Sequence, residues 1–151
     1  MTKREPKDSK KDFKLMIDAD ILLDVLLDRK PFCGKSSLVW KMCETGLVKG
    51  FVSTLSFANI VYIMRRELDA KSIERVLGML SQVFHFESLS GRDLKKAASL
   101  YWDDFEDAVQ YSIAARIHAD YIITRNIMDY QQSTILPMTP EEFLLEGVKG
   151  R

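Results

Sequence analysis

The sequence predicts an α/β fold: a central parallel sheet of about five strands with helices on both faces. Two patterns carry that expectation. Short apolar runs at 13–17, 50–53, 83–86, 121–124 and 134–138 alternate with stretches of helical period. Strands separated by helical segments pair in parallel and are covered on both sides. A third observation concerns chemistry, because acidic residues gather where such runs end or a helix begins. In parallel sheets, sites form beyond the carboxyl ends of the strands.

The elements follow in order. Residues 1–12 are polar, mildly basic and aperiodic, which predicts a flexible tail before a single domain at 13–151. The first strand, 13–17, leads into a helix with Ile21, Leu22, Val25 and Leu26 on its core face and Asp24 and Asp28 away from it. Pro31 interrupts, a second helix spans about 33–44, and Gly46 ends it. After the strand at 50–53, residues 54–68 form a third helix with Phe57, Ile60, Val61 and Met64 at core spacing. A helix over 71–81 feeds the strand at 83–86, and Ser90 caps a helix reaching Leu100. Asp104 opens a helix to about His118, followed by strands at 121–124 and 134–138. Thr139, Pro140 and Glu142 then form a capping box with proline at the first helical position.

Composition bounds the function. A chain of 151 residues, 46% hydrophobic and 29% charged, has the make-up of one soluble domain. Formal net charge is zero, so no global field draws it to nucleic acid or membrane, although local basic residues and metal ions still allow RNA as a substrate. Cys33 and Cys43 lack metal-ligand spacing and read as reduced thiols. No apolar stretch approaches the ~18 residues that span a bilayer. No signal-peptide core follows the charged start, so a cytoplasmic location without membrane contact is expected.

Five carboxylates stand out: Asp18 and Asp20 after the first strand, Asp104 and Asp107 at a helix start, and Asp129 beyond the fourth strand. Clustered acids repel one another and hold protons tightly unless a cation compensates. Hard divalent ions prefer such oxygen ligands, which points to Mg²⁺ or Mn²⁺ and to chemistry on phosphates. Asp18 competes with a helix-capping role, and Asp20 with a cap or an orienting role toward Asp18. Asp104 and Asp107, three apart, share a helix face with Tyr111, whereas Asp103 and Glu106 are expected to point into solvent. Asn126 and Asp129 flank the end of a strand beside Thr124 and Arg125, and Arg125 reads either as a phosphate ligand or as a surface residue. His85 and His118 lack partners for a triad and read as structural.

These segments together resemble the PIN-domain nucleases, especially the VapC-like toxins of bacterial toxin–antitoxin pairs. The matching pieces are Leu15-Met16-Ile17-Asp18-Ala19-Asp20-Ile21-Leu22-Leu23-Asp24, Val52-Ser53-Thr54-Leu55-Ser56-Phe57-Ala58-Asn59, Asp104-Phe105-Glu106-Asp107-Ala108 and Ala119-Asp120-Tyr121-Ile122-Ile123-Thr124-Arg125-Asn126. The resemblance implies a three-layer sandwich and a Mg²⁺- or Mn²⁺-dependent endoribonuclease, with a protein antitoxin as partner and a homodimer as the common assembly. It matches Asp18 to the family's first acid and Asp107 to the acid on the late helix; Asp104 joins them as the third catalytic and metal-binding candidate, with Asp129 as a further ligand in place of the aspartate missing at 126. Asp20, Asn59, Thr124, Arg125 and Asn126 are left to support them or contact substrate. The chain departs from the family pattern at Asn59, where many members carry glutamate, at Asn126, where many carry aspartate, and at Asp20, where asparagine is usual. Two other readings stand beside this one. The fold with weakened catalysis would be an RNA- or protein-binding module. Asp18-Ala19-Asp20 also resembles the nucleophile and acid/base pair of haloacid-dehalogenase-type phosphatases, with Ser53 or Thr54 and a lysine assisting.

Overall fold

The computed structural model describes residues 12–147. The expected tail, Asp12 apart, and residues 148–151 lie outside them. The elements are β1 (Lys14–Ile17), α1 (Ala19–Leu26), α2 (Cys33–Glu44), β2 (Lys49–Ser53), α3 (Thr54–Ile63), α4 (Ala70–Val83), β3 (His85–Glu87), α5 (Gly91–Leu100), α6 (Phe105–Arg116), β4 (Tyr121–Ile123), β5 (Leu136–Met138) and α7 (Pro140–Glu142). A 3₁₀ turn, Ile127–Tyr130, lies between the last two strands.

All five strands are parallel, in the order β3-β2-β1-β4-β5. β1 is therefore central, with Met16 opposite Phe51 of β2 and Ile122 of β4. Alternation along the strands splits the core into two layers. Leu15, Ile17, Val52 and Ile123 pack with Ile21 and Leu22 of α1, Val39 of α2, Ile60 of α3, Leu80 of α4 and Phe143. Met16 and Ile122 face the other way, against Ala97 of α5 and Ala108, Ile113 and Ala114 of α6. This is the expected sheet with helices on both faces.

Local chemistry fixes the boundaries. Ser90 and Asp93 form a capping box at α5, and Thr139 and Glu142 form the one predicted at α7. Gly46 adopts φ +85° after α2, a conformation that suits glycine. At Gly50 a Cβ would sit 2.6 Å from Cys43 Sγ, so only glycine lets α2 lie this close to β2.

Three expectations need correction. The third helix stops at Ile63, not 68, because its apolar face ends with the buried Met64 and Asp69 then caps α4 through the Ser72 amide. β3 starts at His85 because α4 continues to Val83 and Phe84 packs edge-on against Trp40. Asp24, expected to point away from the core, is fully buried.

Candidate active site

Asp18 follows β1 and is anchored by its own amide, which donates to the Ile123 carbonyl at the end of β4 (3.0 Å). It occupies the N-cap position of α1 but its side chain caps nothing. The carboxylate turns instead into a cleft of about 360 Å³. There Oδ1 accepts from the Tyr130 hydroxyl (3.1 Å) and Gln110 Nε2 (3.3 Å), and the Thr124 side chain adds a third hydrogen bond. Burial pushes this carboxyl up to about 6, and the neighbouring charge of Asp20 adds to the rise. The hydrogen bonds from Thr124, Tyr130 and Gln110 oppose it.

α6 brings the second acid. Asp104 is its N-cap and accepts from the Asp107 amide (3.1 Å), so the capping role is realised in an exposed residue that also borders the cleft. Asp107, one turn in, faces Asp18. Its carboxyl is pushed up to about 7, first by burial and then by the charges of Asp104, Asp18 and Asp129. The Tyr130 oxygen lies 3.3 Å from Asp107 Oδ1. A phenol has one hydrogen to give. The contacts to Asp18 and Asp107 are therefore both satisfied when Asp107 carries a proton and the phenol donates to Asp18.

Asp129 on the 3₁₀ turn, Asn126 before it, Asp20 on α1 and Asn59 on α3 complete the rim. Glu106, expected in solvent, also lines the cleft and accepts a hydrogen bond from Asn59 Nδ2. Thr124 is buried, and its hydroxyl receives the Asn126 amide at 3.0 Å. Arg125 turns the other way. Its Nε donates to Asp24 (3.1 Å) and its guanidinium stacks 4.0 Å over Phe32, so it is neither a cleft ligand nor a simple surface residue. Asp24 also accepts from Ser36 Oγ (3.1 Å) and lies 3.7 Å from Arg29, which reaches Asp20 as well. His85 stacks on Phe51, and His118 sits exposed after α6.

Two functional neighbours escape a sequence reading. Gln110, buried on α6, bonds Asp18, Ser56 Oγ and the Ile17 carbonyl. Its only signal is its place one turn after Asp107. Tyr130 is buried beside Trp102, and its signal is adjacency to Asp129.

Among the described residues lining the cleft there are six acids and no lysine or arginine. Carboxylate oxygens thus dominate the lining, and only Asp20 among these acids has a described ion-pair partner, Arg29, which suits a hard divalent cation. No three acidic, histidine or cysteine side chains among the described residues converge tightly enough to enclose an ion. The close pair is Asp18 and Asp107, and Mg²⁺ is commonly held by one or two carboxylates, its other positions going to water and substrate phosphate. The residues present fit that mode.

A PIN domain family model matches residues 14–128. Among solved structures, a toxin–antitoxin complex from Klebsiella pneumoniae superposes with a TM-score of 0.66 at 18% identity, over 83% of this chain and 97% of that one. The sarcin-ricin-loop-cleaving toxin VapC20 of Mycobacterium tuberculosis gives 0.59 at 12% identity, over 72% and 86%. VapBC2 of Rickettsia felis, bound to a promoter DNA fragment, gives 0.59 at 13%, over 83% and 97%. No curated protein sequence matches.

Proposed function

Because the chain belongs to the PIN-domain family, we propose that it is a Mg²⁺- or Mn²⁺-dependent endoribonuclease, the toxin of a toxin–antitoxin pair. The observation that carries this reading is the pairing of Asp18 and Asp107 through one tyrosine hydroxyl, in an acid-lined cleft without a basic residue. Asp18 and Asp107 would hold the cation, with Asp104 and Asp129 at its border. When bound, a divalent ion supplies Lewis-acid polarisation of water and phosphate. Tyr130, Gln110 and Thr124 orient Asp18 toward the cleft. Asn59 and Asn126 offer neutral amides at the rim, where they can hydrogen-bond water or substrate. An antitoxin is the expected protein partner, as in the toxin–antitoxin complex this fold superposes on, and a homodimer is the expected assembly. No helix among the described residues is long and apolar enough to cross a membrane, and a cytoplasmic site of action is part of the proposal.

The test is RNA cleavage with added Mn²⁺ or Mg²⁺, repeated with chelator and with Asp18→Asn and Asp107→Asn. We expect cleavage that chelator and either substitution abolish. Cleavage surviving all three would sink the reading.

One observation favours a second reading, a PIN-domain RNA- or protein-binding module. No third acid closes in on the Asp18–Asp107 pair, and amides stand at 59 and 126. RNA binding without metal-dependent cleavage would select it. The phosphatase reading loses its assisting residues. Ser53 Oγ caps α3 by accepting the Ser56 amide, Thr54 Oγ1 accepts from the Leu89 amide, and no described lysine lines the cleft.

A further inference from the structure

A second hollow, of about 260 Å³, adjoins the acidic cleft and shares Asp104 and Asp129 with it. Its other walls are Tyr101, Trp102, Asp103, Met128, Gln131 and Gln132. It is smaller than the ~300–1,000 Å³ of sites for drug-sized ligands, and fits one planar ring system.

Its aromatic wall is built in an unusual way. Tyr101 ends α5 in the left-handed region, φ 56° and ψ 38°, where glycine or asparagine is the ordinary choice and a bulky side chain is strained. Its side chain gains no burial in return, being 89% exposed. Trp102, which also lines the hollow, is stacked on Tyr111 at 5.1 Å and 27° and edge-on to Tyr130 at 6.2 Å. Met128 is 67% exposed beside them. The same Tyr130 that touches Asp18 and Asp107 thus also contacts the floor of this hollow.

We propose that this hollow is a nucleobase subsite, which takes a base of single-stranded RNA flanking the phosphate presented to Asp18 and Asp107. The inference rests on the ribonuclease reading and names where its substrate is gripped. Neither cleft nor hollow has a described lysine or arginine in its lining, so basic side chains do not supply local affinity. Stacking does not need charge, and aromatic faces bind unpaired bases of every type. Gln131 and Gln132 each carry a donor and an acceptor suited to a base edge. Tyr101 and Met128 supply the apolar faces, and continuity through Asp104 and Asp129 places the base beside the acids.

The test measures binding of a labelled single-stranded oligoribonucleotide in Mg²⁺ by anisotropy, in an Asp107→Asn background that prevents cleavage. Tyr101→Gly should weaken binding about tenfold, within the range for one stacked base, while raising the melting temperature by relieving the backbone. These opposite signs separate a binding role from a folding role. Tyr101→Phe should retain affinity, and Trp102 emission should fall as the oligonucleotide saturates. Unchanged affinity in Tyr101→Gly and Tyr101→Ala overturns the proposal, as does a wild-type dimer that Tyr101→Gly splits with RNA binding intact. The two readings fail separately. Tyr101-dependent binding without cleavage by the wild-type chain removes the nuclease and keeps the subsite. Cleavage whose KM ignores Tyr101→Gly removes the subsite and keeps the nuclease.

Discussion

The Tyr130 hydroxyl donates to Asp18 Oδ1 across 3.1 Å, although the residues stand 112 positions apart. That bond joins the turn after β4 to the end of β1 and fixes the rotamer of the acid that leads the cleft. Removing it in Tyr130→Phe leaves the ring packed on Trp102. Partners that orient a metal ligand are typically worth ~10–100-fold in affinity. Tyr130→Phe should weaken Mn²⁺ binding about tenfold in calorimetry, with a small loss of stability, ~1 kcal/mol.

The acids also set a pH dependence. Asp18 and Asp107 hold their protons up to about 6 and about 7, above the ordinary carboxylate value of 3.8. Between those limits the folded chain binds more protons than the unfolded chain, so stability falls as pH rises. The metal-free protein should therefore lose melting temperature from about pH 4 to pH 7 through these two groups. Asp107→Asn should flatten that slope and raise stability at pH 7 by ~1 kcal/mol, the larger nominal figure being reduced by solvent at a half-exposed group. Melting curves against pH, without metal, check both.

Asn59 faces Glu106 and donates to it. Asn59→Glu replaces a donor by a like charge at the rim of an already acidic cleft. Without metal, the variant should melt a few degrees lower, ~1 kcal/mol. Mn²⁺ should recover part or all of that loss, because the added carboxylate attracts the cation. Equal melting shifts with and without Mn²⁺ would place residue 59 outside the cation's reach.

Asp24 is fully buried against Arg125, Ser36 and Arg29. Asp24→Ala removes the carboxylate that Arg125 pairs with and leaves Arg29 only its contact with Asp20. Breaking a buried pair costs ~3–5 kcal/mol, and the low end applies because Arg125 and Arg29 retain some exposure, 23% and 31%. Urea denaturation should show a loss of about 3 kcal/mol. A loss near zero would mean that the two arginines are solvated equally well without their partner.

Period and capping made the layers legible. The apolar runs became strands, and the cap at Ser90 and the capping box at Thr139 formed where their residue types predict. Asp18, Asp104, Asp107 and Asp129 lie around one cleft, as strand-end and helix-start positions suggest. What stayed hidden depends on partners far along the chain. An acid on a helix reads as solvated, and Asp24 is turned inward by Arg125, 101 residues away. Tyr130 and Gln110 draw no reading of their own, because a hydroxyl or amide shows its role only once the acceptor is placed. Arg125 beside Thr124 leaves a phosphate ligand and a surface residue both open, and Phe32 and Asp24 claim it instead.

The central position of β1 has a consequence for the timing of synthesis. β1 emerges from the ribosome before both of its neighbours, β2, which follows soon, and β4, which follows after α6. A nascent chain that has reached only α5 has one side of β1 unpaired, lacks Asp107 and has no Tyr130 to steady Asp18. Because both the late strand and the late acid follow α5, chains that stop before α6 carry an open sheet edge and no acid pair. Termination before α6 therefore yields fragments that lack the Asp18–Asp107 pair and expose an unpaired strand edge, the kind of surface that aggregates.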